Sequence, residues 1–181
     1  MMKRFLFVFI LFAGIQLSAQ QFSITSPDDQ LSIVIDINDT ISWSASLYGQ
    51  VVIQKNQIAV IESGKRELGI SAKVKSESRE SSKSYVSVPV PHKDSRIEED
   101  YNQLTLEFKG GYSLLFRVFN DGLGYRFIDG FKKSRQVVDE VMNLTFPEGA
   151  TSFFPQEESM YSHNERLYPK KNLSDLSSDD F

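Results

Sequence analysis

Apolar and polar residues alternate with a period of two over most of this chain. Leu31, Ile33, Ile35 and Ile37 stand at every second position, with Val34 the only apolar residue between them. Alternation of this kind marks a half-buried β-strand. Asn38 and Asp39 lead into a second run from Ile41 to Leu47, so two strands joined by a short turn are predicted. Ser26-Pro27-Asp28-Asp29 supplies the turn ahead of them, because proline presets φ and aspartate bonds its own backbone. Val51 to Ile53 reads as a further short strand. Val74 to Ser84, rich in serine and charge, reads as a solvated loop, Tyr85 to Val90 as a strand, and Glu98-Glu99-Asp100 as an exposed crossing.

The strongest β pattern follows. Leu104, Leu106 and Phe108 alternate with polar residues, Lys109-Gly110-Gly111 turns the chain, and Tyr112 to Phe119 returns it. From Leu114 to Phe119 both faces are apolar apart from Arg117, which predicts a central strand covered on both sides. Asp121-Gly122 after Asn120 is a strong hairpin signal, and Leu123 to Ile128 forms the other arm. With Asp121 and Gly122 as the central pair of the turn, Arg117 faces Arg126. Like charges directly opposite each other are destabilising, so two arginines inside apolar arms imply a structural network with a shared carboxylate. Glu140, at the start of the next strand, is the candidate partner. The competing reading is an anion site, since guanidinium forks bind carboxylate and phosphate. A last strand runs from Glu140 to Phe146 with Met142, Leu144 and Phe146 on one face, closed by Pro147-Glu148-Gly149. No amphipathic helix of three turns and no fixed repeat is visible, so the fold class is all-β and antiparallel.

The amino terminus changes the picture. Lys3 and Arg4, the apolar run from Phe5 to Leu17 and the exit Leu17-Ser18-Ala19 make residues 1–19 a secretory signal peptide, with Gln20 the expected mature start. That run is too short to span a bilayer and no longer one follows. A periplasmic location with no membrane attachment after cleavage is expected. The absence of cysteine excludes a disulfide framework. A net charge of -4 and scattered basic residues argue against a nucleic-acid surface. Residues 20–181 suffice for one domain, expected to be incomplete at its C-terminal end because Asp175 to Phe181 reads as a connection.

Candidate chemistry is sparse. The two histidines, His92 and His163, would both be needed for a zinc site without cysteine, and no Gly-x-Ser-x-Gly elbow is present. Gly122-Leu123-Gly124 lacks the following helix of a dinucleotide fingerprint. Glu98, Glu99, Asp100, Glu157 and Glu158 lie in runs of like charge and form no acid and base pair for glycosidic cleavage. Met160 to Pro169 mixes aromatic and polar groups outside the strand pattern, as loops that reach a binding surface do.

The string from Phe116 to Phe127, which reads Phe-Arg-Val-Phe-Asn-Asp-Gly-Leu-Gly-Tyr-Arg-Phe, resembles a signature of the amino-terminal domain of glycoside hydrolase family 97. Ser26-Pro27-Asp28, Glu140 to Phe146, Phe153-Phe154-Pro155 and Glu165-Arg166-Leu167-Tyr168 are similar to other parts of that domain. The resemblance implies an antiparallel β super-sandwich of galactose mutarotase-like architecture, lying ahead of a catalytic barrel. It also implies hydrolysis of α-glucosidic or α-galactosidic bonds by the whole enzyme, with calcium at its active site. One glutamate of this domain would reach that ion, and Glu165 best matches it. The catalytic groups would belong to the barrel. The chain is thus expected to be a non-catalytic domain that packs on a barrel and completes a calcium site. The alternative is a stand-alone periplasmic carbohydrate-binding or interaction sandwich.

Overall fold

The computed structural model describes residues 20–90, 93–132, 134–156, 159, 161, 163 and 165–177. The expected signal peptide at 1–19, His92, Glu157, Glu158 and residues 178–181 lie outside them. Strands β1 (Gln20–Thr25), β2 (Leu31–Ile37), β3 (Ile41–Leu47), β4 (Gln50–Glu62) and β5 (Arg66–Leu68) form an antiparallel meander. A second meander holds β6 (Val74–Ser87), β7 (Arg96–Phe108), β8 (Tyr112–Phe119) and β9 (Gly122–Asp129). The chain then returns to the first sheet, where β10 (Val137–Thr145) pairs with β4. A small ribbon, β11 (Thr151–Phe153) with β12 (Lys170–Asn172), follows.

Alternation explains the packing. Ile33, Ile35, Ile41, Trp43 and Ile58 from the first sheet meet Leu104, Leu106, Leu114, Phe116 and Val118 from the second in one buried core. The fold is therefore an antiparallel sandwich, as the period-two pattern and the family likeness imply. Trp43 meets the edge of Phe116 at a centroid distance of 6.4 Å and lies 6.3 Å from Tyr125. As predicted, β8 is central. Its inner side chains Leu114, Phe116 and Val118 are buried, whereas Arg117 and Phe119 on the outer face are only half-buried.

Two stretches differ from expectation. Residues 74–84 belong to β6, paired residue by residue with β7 after a bulge near Val74, and Glu98 to Asp100 lie inside β7. These are strands without alternation, because backbone ladders, not apolar burial, hold them. As β8 reaches only as far as Tyr101, residues 96–100 and their partners 83–87 form a two-stranded arm. On one face of the arm Lys83 bridges Asp100 and Glu98, and Arg96 lies over Tyr85.

One side of the sandwich is stitched shut. Arg79 Nη1 donates to the Ser23 carbonyl at 2.7 Å and Asn102 Nδ2 to that of Thr25 at 2.9 Å, joining β6 and β7 to the outer edge of β1. Across the core, Gly69 adopts φ +96°, and a Cβ there would stand 2.7 Å from the Ile58 carbonyl oxygen. The Gly69 N–H donates to the buried Tyr112 hydroxyl at 3.1 Å.

Burial pushes the Tyr112 phenol above its ordinary range, against the smaller opposing effects of the Gly69 bond and Arg66. A phenol whose folded-state pKa is raised contributes stability that is present below its unfolded pKa of about 10 and is lost as pH climbs through the folded value. Tyr112→Phe should cost about 1–3 kcal/mol at neutral pH by orphaning the Gly69 N–H. It should also flatten the decline in stability above about pH 10. Denaturant titrations at neutral and alkaline pH test both, and a parallel alkaline decline in the variant would refute the second.

Candidate functional site

The hairpin that carries the two arginines closes one residue earlier than its sequence predicts. Phe119 pairs with Gly122, which makes Asn120 and Asp121 the central residues, and none of the three positions from 120 to 122 has a positive φ. The cause is a distant contact. Asn120 Oδ1 accepts the Asp28 N–H at 3.1 Å, tying this turn to the one between β1 and β2. In that second turn the Ser26 hydroxyl, then the Gln30 N–H, hold the Asp28 carboxyl below the usual carboxylate range.

Arg117 consequently faces Gly124, and Arg126 faces Leu115. The arginines still share the outer face, but as diagonal neighbours. The predicted network with Glu140 does not form. Arg117 Nε donates to Gln103 Oε1 at 2.7 Å, its Nη1 lies 3.5 Å from Glu99, and its guanidinium sits 4.2 Å above the Tyr101 ring. Gln103 in turn donates to Glu80. Glu140 belongs to the other sheet, opposite Val60. There it raises the pKa of Tyr125, second to burial. The sheet assignment of β10, set by its long-range pairing with β4, removes Glu140 from the outer face where Arg117 and Arg126 lie.

An ionic cluster does exist around one buried carboxylate, and most of its members come from distant parts of the chain. Glu62, at the end of β4, is 4% exposed, accepts a hydrogen bond from Arg66 Nη1 at 2.9 Å and is ion-paired with Arg135 Nη1 at 3.5 Å. Asp129, at the end of β9, stands 3.5 Å from each of the same arginines. Phe131 receives both guanidinium groups, at 4.1 and 4.2 Å from its ring centroid. Arg66 also donates to the Gly110 carbonyl at 2.9 Å. This clasp joins both sheets to the crossover between β9 and β10. Its charges balance, so it offers neither a free carboxylate nor an anion cradle.

Glu165 lies in the irregular stretch between β11 and β12, exposed, in a shallow depression lined by Gln156, Arg166, Leu167 and Pro169. His163 is exposed in the same stretch. Among the described residues no three histidine or acidic side chains converge as metal ligands. A calcium ion takes about six to eight oxygens, of which one carboxylate supplies at most two. The described residues therefore do not build a calcium site by themselves.

Residues 24–180 match the family described as Glycosyl-hydrolase 97 N-terminal. The chain is 32% identical over 160 residues to a retaining alpha-galactosidase of Bacteroides thetaiotaomicron, covering 87% of this chain and 24% of that protein. A glycoside hydrolase family 97 enzyme from Pseudoalteromonas sp. strain K8, solved in complex with panose, superposes with a TM-score of 0.64 at 19% identity, over 74% of this chain and 22% of that one. A beta-arabinopyranosidase superposes with a TM-score of 0.63 at 20% identity, over 79% and 24%. The chain thus spans about a quarter of the length of these relatives.

Proposed function

The chain belongs to the glycosyl-hydrolase 97 N-terminal family, and from that membership we propose that it is the non-catalytic amino-terminal sandwich of a secreted, calcium-dependent α-glycosidase of the α-glucosidase or α-galactosidase type. The match over residues 24–180 to an amino-terminal domain carries this reading. Its support in the chemistry is that the well-buried carboxylate, Glu62, and its neighbour Asp129 are occupied by arginines. A glycosidase needs two carboxyl groups free to act across the scissile bond. In the proposed protein this domain packs on a catalytic barrel, and Glu165 is one ligand of a calcium site whose remaining oxygens come from that barrel. Carbohydrate reaches the domain only through the whole enzyme. The leader at residues 1–19 supports export to the periplasm, with Gln20 as the first residue of the mature protein.

The test joins residues 20–181 to the part of the Bacteroides thetaiotaomicron relative that follows its matched 160 residues. The joined protein should hydrolyse an aryl α-galactoside in a calcium-dependent manner, and the short chain alone should not. Glu165→Ala should raise the calcium needed for half-maximal activity by about tenfold or more, because even outer-shell partners of a metal are worth about 10–100-fold in affinity. An unchanged calcium requirement would remove Glu165 from the site.

A further inference from the structure

The chain holds two aspartyl-glycyl bonds, Asp121-Gly122 at the tip of the β8–β9 hairpin and Asp129-Gly130 where β9 ends. Glycine has no Cβ to shield its nitrogen, so that nitrogen can close on the side-chain carboxyl of a preceding aspartate. The fold treats the two bonds differently.

At Asp129 both reacting groups are held. Its Oδ1 accepts the Phe131 N–H at 3.1 Å, and its Oδ2 lies 3.5 Å from Arg66 Nη1 and from Arg135 Nε. The Gly130 N–H donates to the Gly111 carbonyl at 3.3 Å. Reaction there must first open the clasp. At Asp121 the side chain is exposed and has no hydrogen-bond or ion-pair partner among the described residues. A Cβ placed on Gly122 would meet nothing within 4 Å, so the space around it is open. Gly122 stands opposite Phe119 on the last rung of the hairpin, and rungs at a tip open far more readily than those of a core. What steadies this tip is remote, the 3.1 Å bond from the Asp28 N–H to Asn120 Oδ1.

We propose that Asp121 is a site of spontaneous covalent modification, converted to isoaspartate through a cyclic imide, and that the conversion releases the tie between the β8–β9 and β1–β2 turns. The inference does not depend on the chain being a glycosidase domain. The Gly122 amide nitrogen bonds to Asp121 Cγ and gives up its proton, while a carboxyl oxygen departs as water. A second water then opens the ring. Attack at Cγ, with loss of the new bond, restores aspartate. Attack at the former main-chain carbonyl breaks its bond to nitrogen instead, which turns that carbonyl into a free carboxylate and routes the main chain through Cβ and Cγ. The water lost is regained, and no oxidant, reductant or enzyme is consumed. The added main-chain carbon falls in a turn made only of Asn120 and Asp121, so Asn120 cannot keep Oδ1 on the Asp28 N–H while Phe119 stays opposite Gly122.

The chain from Gln20 to Phe181, shown to be folded by its Trp43 fluorescence, is aged at neutral pH in water enriched in heavy oxygen. Peptide mapping then separates the isoaspartyl forms, which have taken up the label. Isoaspartate should accumulate at position 121 at least about tenfold faster than at 129, since one site needs only local opening and the other the release of the clasp. In denaturant the two rates should converge. Gly122→Ala should slow the reaction at 121 without loss of stability, because Gly122 has open space around it and no positive φ.

Hydrogen exchange reads the tie. The Asp28 amide should exchange at least about tenfold faster after isomerisation, and Asn120→Ala should reproduce that acceleration without ageing. Equal rates at 121 and 129 in the folded chain, or no isoaspartate at 121, overturn the site. An Asp28 amide indifferent to both changes overturns the release of the tie.

Discussion

Phe116→Ala lowers the free energy of unfolding by about 3–5 kcal/mol. Phe116 is fully buried, and it is the largest of the side chains that are. It stands where the two sheets meet, against Trp43 from β3 and 5.8 Å from Tyr125 on β9. Truncation removes the transfer free energy of the ring and leaves a cavity that the rigid ladders on either side prevent from collapsing. It also ends two aromatic contacts, each worth about 0.5–1.5 kcal/mol beyond the area they bury. Phe153→Ala is the control, because that ring is 69% exposed and surface changes stay within about 0.5 kcal/mol. Urea titration followed by Trp43 fluorescence reads both, and a loss below about 1 kcal/mol at Phe116 would mean that the sheets do not pack through this ring.

Glu62→Ala should cost about 3 kcal/mol, near the lower end of the range for removing one partner of a buried ion pair. The lower end applies because Arg66 and Arg135 keep 22% and 32% of their side-chain surface in water, whereas Glu62 keeps 4%. Asp129 remains as an acceptor for both arginines, which also limits the loss. The effect should persist at high salt, since screening acts weakly on buried pairs. The Lys83 bridges on the arm offer the contrast, being exposed and therefore salt-sensitive and weak. A Glu62 effect that vanishes in 1 M salt would place the clasp in solvent.

The strands readable from sequence are those with one wet face and one dry face. Ile33, Ile35, Leu104, Leu106 and Leu114 stand at alternate positions because the pleat turns alternate side chains toward the core. β6 was illegible for the converse reason. None of its residues is buried, so serine and charge there mimic a loop, and only the ladder to β7 makes it a strand. The hairpin turn at Asn120 was placed one residue too late because the bond from Asp28 spans 92 positions, beyond any local turn rule. Of the clasp only the Glu62–Arg66 pair across the β4–β5 turn is local; Asp129 and Arg135 join it through long-range pairing that no local pattern shows. Glu165 could be proposed only from family likeness, as nothing in its own surroundings distinguishes it from other exposed acids.

The return of β10 to β4 also bears on the order of assembly. Within each meander every strand pairs with its immediate predecessor in the chain, so both can form by closing short loops. The β4–β10 ladder is different, because everything from Ser63 to Gln136 must already be gathered in before its first rungs can form. Closing a longer loop costs more chain entropy before any contact offsets it, and sheets joined by distant pairings form slowly. Chain entropy thus expects β10 to dock after the two meanders have formed, with the clasp at the crossover closing across that same step.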